Sequence, residues 1–522
     1  MNRKLVFALS LFVLLCSSLY VRFNSVEVES SNGYPVDPDF ILTDIDGNSF
    51  SLNDYRGRAV LLDFFHTNCT PSVNQFSELI ILHEDFGEKL VIISISPENE
   101  TALRDFRDNY NISWTIAKDA AGVFEAYDVD AIPTLAIIDQ QGYICYTHVG
   151  LTEESQLRPE IESLLPKTIY VDDGNVAGPW NGTKEHPYQN ITSGLEHASD
   201  NDIVFVQNGT YYEHVVVNKT VSLIGGNREA TIIDGSEIIT PIVHITADNV
   251  TVRAFTIQNS GRIYGWEGGG IYITDSNRNN IVENTITNTQ YGINLRNSTS
   301  NTIIGNTIIE NDVGIQFLDD YSSNSTIYHN NIIDNGWQVN NFAASNNTWD
   351  NSYPSGGNYW SDYDGIDTNP DAIGDSWYEI DENNIDHYPL MGMFSSFNTS
   401  LGYHVNVISN STIGNFQYFE SNSTIRMYAS NMTASQTYGF CRIRIPHALI
   451  SEPYNVTLDG ANPTYWNYTL YDDGDNRWIY FSYEHTTLEI IIVPEFPQFL
   501  ILLLFMIVTL LTVIVYKTKH HM

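Results

Sequence analysis

Positive charge is scarce in this chain. Lysine and arginine number 24 against 63 acidic residues, a formal net charge of -39 over 522 residues. That balance excludes nucleic-acid binding, which needs basic patches against phosphate, and suits a soluble, self-repelling outer surface. Cysteine is scarcer still. Cys16, Cys69, Cys145 and Cys441 stand far apart and form neither a disulfide framework nor a zinc spacing, so the fold must rest on packing. Apolar runs that approach the thickness of a bilayer occur only at the two ends.

Those ends point outward. Arg3 and Lys4 precede an apolar stretch from Leu5 to Tyr20, the layout of a secretory signal. No small-x-small cleavage site follows, so residues 1–25 read as a signal peptide or a retained signal anchor. Leu14-Leu15 precedes Cys16 where a lipoprotein signal wants a small residue, and Cys16 reads as part of the apolar segment. Within residues 494–516, read as a transmembrane anchor or sorting segment, the stretch from Phe496 to Tyr516 is uncharged and about 20 residues long, the length of a transmembrane helix. The basic tail 517–522 belongs on the cytoplasmic side. Asn-x-Ser/Thr acceptors recur through the body, among them Asn68, Asn297 and Asn398. The expectation is an extracytoplasmic glycoprotein held at the cell surface by one C-terminal span.

Texture divides the rest into three domains. Over residues 34–166, apolar strand-like runs (59–65, 90–95, 134–138, 143–146) alternate with helical stretches (73–86, 100–110, 120–127), which predicts an α/β sheet. After the first strand comes His66-Thr67-Asn68-Cys69-Thr70-Pro71-Ser72, then a helix. A Cys at a helix N-terminus sits near unpaired N–H groups and the positive dipole end, so its pKa should fall. Cys145 falls on a strand and reads as a buried apolar Cys.

This segment resembles the thioredoxin-like redoxins, related to alkyl hydroperoxide reductases and thiol-disulfide oxidoreductases. Leu61-Leu62-Asp63-Phe64-Phe65 leads into the Cys loop, and Ile132-Pro133-Thr134 matches the family's cis-proline loop. The resemblance implies Cys69, Ser72 and Pro133 as catalytic positions, with protein thiols and disulfides as partners and no cofactor required. The chain departs from the pattern: Ser72 replaces the second Cys, and Asn68 stands where a Trp is usual. Ser72 cannot resolve a mixed disulfide by attacking it. A glycan on Asn68 would crowd the thiol. Three readings of Cys69 stand open: a degenerate binding domain, monothiol exchange, and peroxide reduction.

Residues 168–392 are repetitive. Gly270-Ile271-Tyr272-Ile273, Gly292-Ile293-Asn294-Leu295 and Gly314-Ile315-Gln316-Phe317 recur every 22 residues. One such coil cannot bury its own apolar face, but stacked coils can, with Ile over Ile inside and Asn ladders at the turns. That predicts a right-handed parallel β-helix, capped by a short helix near Ile191 to Ala198. Gly178-Pro179-Trp180-Asn181-Gly182-Thr183 and Gly357-Asn358-Tyr359-Trp360-Ser361-Asp362-Tyr363 make it resemble the NosD-like, carbohydrate-binding and sugar-hydrolase β-helices. The resemblance implies the fold and not an activity. Asp319-Asp320 is the close acidic pair on a coil, but it lacks the His or basic companions of polysaccharide cleavage and reads as a solvated turn. The histidines are too scattered for the copper role attached to some relatives. Tyr264, Trp266 and Glu267, in a glycine-flanked loop, form a candidate sugar-stacking site for surface glycans.

Asp362, Asp364, Asp367, Asn369, Asp371 and Asp375 fall at near-alternate positions, a spacing that offers several oxygens to Ca²⁺; a solvated acidic turn is the competing reading. Residues 395–492 alternate apolar and polar and predict a small β-sandwich. Pro494-Glu495-Phe496-Pro497 resembles the archaeal PEF-type sorting signal, which implies a sortase-type processing enzyme as partner. The chain thus reads as a redoxin domain, a β-helix and a spacer sandwich on one anchor, working by thiol exchange or glycan recognition. A non-catalytic adhesion protein is the alternative.

Overall fold

The computed structural model describes residues 39–140, 142–262, 268–341, 346–450, 454–484 and 487–494. The signal segment, the loop carrying Tyr264, Trp266 and Glu267, and the stretch from residue 495 to the end lie outside these residues. Among the described residues no helix is long and apolar enough to cross a membrane. The chain divides into two compact units, Met1–Leu165 and Pro166–Met522.

The first unit is built on a five-stranded sheet ordered β5-β4-β3-β6-β7, comprising β3 (Ala59–Phe64), β4 (Leu90–Ser96), β5 (Thr115–Lys118), β6 (Thr134–Ile138) and β7 (Ile144–Val149). Strands β3, β4 and β5 pair in parallel, and β6 and β7 add antiparallel. Both faces of β3 are covered, which is why it reads as an unbroken apolar run. Ala59, Leu61 and Phe65 meet helices α1 (Thr70–Phe86), α2 (Glu100–Tyr110) and α4 (Glu154–Leu164) through Phe76, Phe106 and Ile161. Val60, Leu62 and Phe64 face the other side, toward the hairpin β1 (Ile41–Thr43) and β2 (Ser49–Ser51) and the short α3 (Val123–Ala126). Helix α4, which carries Pro159 inside it, is absent from the pattern reading.

The second unit opens with the parallel β-helix. Three parallel sheets of seven, six and seven strands run through its coils. Each repeat places Ile above Ile: Ile281 beside Ile303 beside Ile327, and Ile286 beside Ile308 beside Ile332. The recurring glycines allow this stacking. A Cβ on Gly292 would lie 2.5 Å from the Gly314 carbonyl oxygen and 2.8 Å from Ile308 Cγ2. At the turns, buried asparagines bond upward: Asn284 to Asn306 at 3.1 Å, Asn306 to Asn330 and Asn330 to Asn358 at 3.0 Å each. Helix Ile191–His197 closes the N-terminal end with Ile191 and Leu195 in the core. Its first N–H groups are taken by Glu213 and by the Asn190 cap.

The Gly357-Asn358-Tyr359-Trp360 motif closes the other end. Trp349 and Trp360 lie in the last core layer. The buried Asp386 carboxylate accepts from Trp360 Nε1 at 2.9 Å and from the Asn358 N–H at 2.7 Å. Burial pushes this carboxyl up to about 7. Beyond it, antiparallel sheets of five and four strands enclose a core that includes Val407, Ile443, Phe481, Met427 and Ile490. This is the expected sandwich, with strands running from Met393 to Pro494.

Candidate functional site around Cys69

Cys69 caps the N-terminus of the 17-residue helix α1, with Pro71 in its first turn. Proline suits that position because its missing N–H would have had no helical partner. The thiol is half-buried and lies 3.8 Å from the Ile132 carbonyl oxygen. The following Ile132-Pro133 peptide is cis, as the redoxin resemblance implied. The structure therefore brings Cys69 against the Ile132-Pro133 peptide, with Ile132 63 positions further along the sequence.

Ser72 sits one turn further along α1, fully buried, and its Oγ has no hydrogen-bond partner among the described residues. Gln75, also buried, ties α1 to the loop before α4: its Nε2 donates to the Thr152 carbonyl at 2.9 Å, and its Oε1 accepts from the Thr152 N–H at 2.8 Å. The loop before Cys69 is held by Glu98, which the sequence reading passed over. Glu98 accepts from the Thr67 N–H at 2.6 Å and the Thr67 hydroxyl at 2.7 Å, and lies 3.2 Å from His66 Nδ1. Only its place just after β4, in Ser96-Pro97-Glu98, could have marked it.

The other cysteines stay apart from this chemistry. Cys145 is on β7 as expected but is exposed, not buried. Strand β7 is a sheet edge, and its face carrying Cys145, Thr147 and Val149 is exposed among the described residues. Partial burial of the sulfur and the nearby Asp139 carboxylate push the Cys145 thiol up to about 11. Cys441 is buried in the sandwich, which pushes it up to about 11 as well. No disulfide joins the three described cysteines.

The chain matches the AhpC/TSA family over residues 36–147. It is 29% identical over 149 residues to the thioredoxin-like protein YneN of Bacillus subtilis, covering 28% of this chain and 87% of that one. It is 28% identical to the thiol-disulfide oxidoreductase ResA of B. subtilis, over 30% of this chain and 90% of the relative. ResA of Halalkalibacterium halodurans is 30% identical, over 24% of this chain and 74% of the relative. By its first domain the chain belongs to the ResA-type thiol-disulfide oxidoreductases. The ResA-type domain carries one thiol in its Cys-x-x-Ser motif, Cys69.

Residues 181–365 match the family described as periplasmic copper-binding protein (NosD). The residues here do not fit copper. Among the described residues no three side chains of His, Cys, Asp or Glu gather as a metal-binding group. Four of the histidines are separately engaged: His197 with the Ser193 carbonyl, His214 with the Pro241 carbonyl, His244 with the Thr274 hydroxyl and His329 with the Ser355 carbonyl.

The acids singled out for calcium are engaged in local turns. Asp362 accepts from the Tyr378 hydroxyl, Asp367 from the N–H groups of Asp371 and Ala372, and Asp375 from Thr368. Asp371 caps the Ile373 N–H and lies 3.8 Å from the buried Arg442, while Asn369 donates to Asp371. Asp364 is exposed. Their alternation serves local turns. Asp319, of the coil pair, likewise caps the turn at Ser322.

Proposed function

We propose that the first domain performs monothiol disulfide exchange through Cys69. The observation that carries this is the thiol at a helix N-terminus, against the Pro133 loop, with a buried hydroxyl at position 72. The Cys69 thiolate attacks a partner protein's disulfide. One sulfur joins Cys69 in a mixed disulfide, and the other leaves as the partner's thiolate. Ser72 cannot displace the adduct, so an external thiol must attack it and take the partner away. Ser72→Cys supplies the missing nucleophile from within. The variant is expected to gain catalytic turnover of a protein disulfide with dithiothreitol as reductant, while wild type forms adduct and turns over slowly. Equal turnover in both would count against the assignment of roles.

Placement outside the cytoplasm is part of the same proposal. The signal-like residues 1–25, the apolar stretch within 494–516 and the match to a periplasmic family support it. The β-helix then serves as a recognition module for carbohydrate or cell-wall polymers, beside the thiol domain.

A further inference from the structure

A groove runs between the flank of the β-helix and the edge of the sandwich. Two cavities of about 470 and 560 Å³ share Glu283, Gly305, Phe394 and Ser396, so they adjoin along one groove. Each lies in the size range of small-molecule sites. The floor is a ladder of turn residues from successive coils: Ala254, Glu283, Gly305 and His329, all at positive φ between 55° and 68°. Parallel strands lie about 4.8 Å apart, so from Gly225, which precedes Ala254 in the ladder, to His329 the floor extends about 19 Å. Behind it the bonded asparagines 284, 306 and 330 hold the Glu283, Gly305 and His329 rungs in place.

The opposite wall is the sandwich strand Met393–Asn398 with Arg444 and Trp478. It is fixed before any ligand arrives. Asn331 accepts from the Phe394 N–H at 2.7 Å and donates to the Phe394 carbonyl at 2.9 Å. The His329 ring stacks on Phe394 with centroids 4.0 Å apart. Buried Arg442 donates to the Asp371 carbonyl at 2.6 Å and to the Pro354 carbonyl. A groove held this way loses little entropy on binding.

Its chemistry narrows the ligand. In a chain with a net charge of -39, the lining balances Arg228, Arg253 and Arg444 against Glu229, Glu283 and Asp473. A polyanion gains no net attraction there, and the polar lining disfavours a wholly apolar ligand. A peptide adding to the edge strand needs free backbone groups, and Asn331 already takes both at Phe394. A ligand with many hydroxyls and some apolar surface suits this lining. The Arg444 guanidinium lies 5.8 Å over the Trp478 ring and, among the described residues, donates no hydrogen bond. Ser396, His404 and Asn406 continue the polar side.

We propose that this groove binds an oligosaccharide chain lengthwise, with Arg444 holding one ring's hydroxyls and the Glu283–Gly305–His329 floor carrying the rings beyond it. The proposal rests on the recognition role given to the β-helix above and assigns it to residues other than Tyr264, Trp266 and Glu267. Asn398 opens an Asn-Thr-Ser acceptor at the groove, so the test uses full-length protein in detergent from a host without N-glycosylation.

The probe is an array of neutral and uronic-acid oligosaccharides, followed by titration calorimetry with a retained one. Gly305→Asn places a side chain into the floor at a φ that Asn tolerates; its Cβ would meet only Glu283 Cγ, at 3.4 Å, among side chains. Arg444→Ala alters the opposite wall, so a folding defect in one variant leaves the other to decide. Each variant is expected to weaken binding at least tenfold with the melting temperature within a few degrees of wild type, and Cys69→Ser to leave binding unchanged. Binding that neither variant alters would overturn the groove but leave the recognition role. An array that retains no saccharide, or retention of peptides alone, would overturn both.

Discussion

Asp63 is an acid in the middle of a core strand, and its replacement by asparagine tests the energetics of the thiol domain. The residue is fully buried on β3. Its Oδ2 accepts from the Ser94 hydroxyl at 2.9 Å, and Ser94 Oγ in turn accepts from Trp114 Nε1 at 3.0 Å. Oδ1 has no partner among the described residues. Burial pushes the carboxyl up to about 7, against about 3.9 in an unfolded chain. The folded state therefore holds the proton more tightly. The stability this contributes is complete below about pH 4 and is lost as pH rises from about 4 to about 7. At about 1.4 kcal/mol per pH unit, the loss approaches about 4 kcal/mol. Asp63→Asn cannot ionise and escapes it, less about 1 kcal/mol for an imperfectly paired amide. Hydrogen exchange of the β3 amides, compared at matched pH so that intrinsic exchange cancels, reads the difference. The variant should be more protected at pH 8, with the gap shrinking by about 1.4 kcal/mol per unit below pH 7. A gap equal at pH 5 and pH 8, or faster exchange in the variant at pH 8, would refute the reasoning.

Two further outcomes concern the β-helix. Gly292→Ala forces its Cβ against the Gly314 carbonyl at 2.5 Å and should cost about 2 kcal/mol in urea denaturation; Gly305→Asn should cost less than about 1 kcal/mol. Asn306→Ala removes the acceptor for the Asn284 N–H and Nδ2 and the donor to the Ile281 carbonyl. With buried groups left unpaired at about 1 to 3 kcal/mol each, a loss of about 4 kcal/mol is expected by far-UV circular dichroism.

The repeat was legible because each coil repeats one solution. Gly270, Gly292 and Gly314 are spaced by the coil length, and close approach of the next backbone demands glycine at each. The inward asparagines follow from the same period. In the thiol domain, β3, β4 and β6 were legible because burial on both faces makes them continuously apolar. Helix α4 was not, since Pro159 and its charged residues mask the two core positions, Leu157 and Ile161. Exposure of Cys145 depends on β7 being an edge, which no local pattern records. The aspartates around residue 367 are ambiguous in sequence because turn caps and calcium loops use the same alternation of oxygens. Glu98 and the groove escaped for a further reason: each is made by residues far apart in sequence, Glu98 against Thr67 and Arg444 against Gly305.

The most direct measurement is the intact mass of the full-length protein after incubation with a disulfide-containing protein and no added thiol. Disulfide exchange through a lone Cys69 requires a one-to-one adduct that persists, is released by dithiothreitol and is absent from Cys69→Ser. No adduct at all, or one that maps to the exposed Cys145 and survives Cys69→Ser, would contradict the assignment of the thiol chemistry to Cys69.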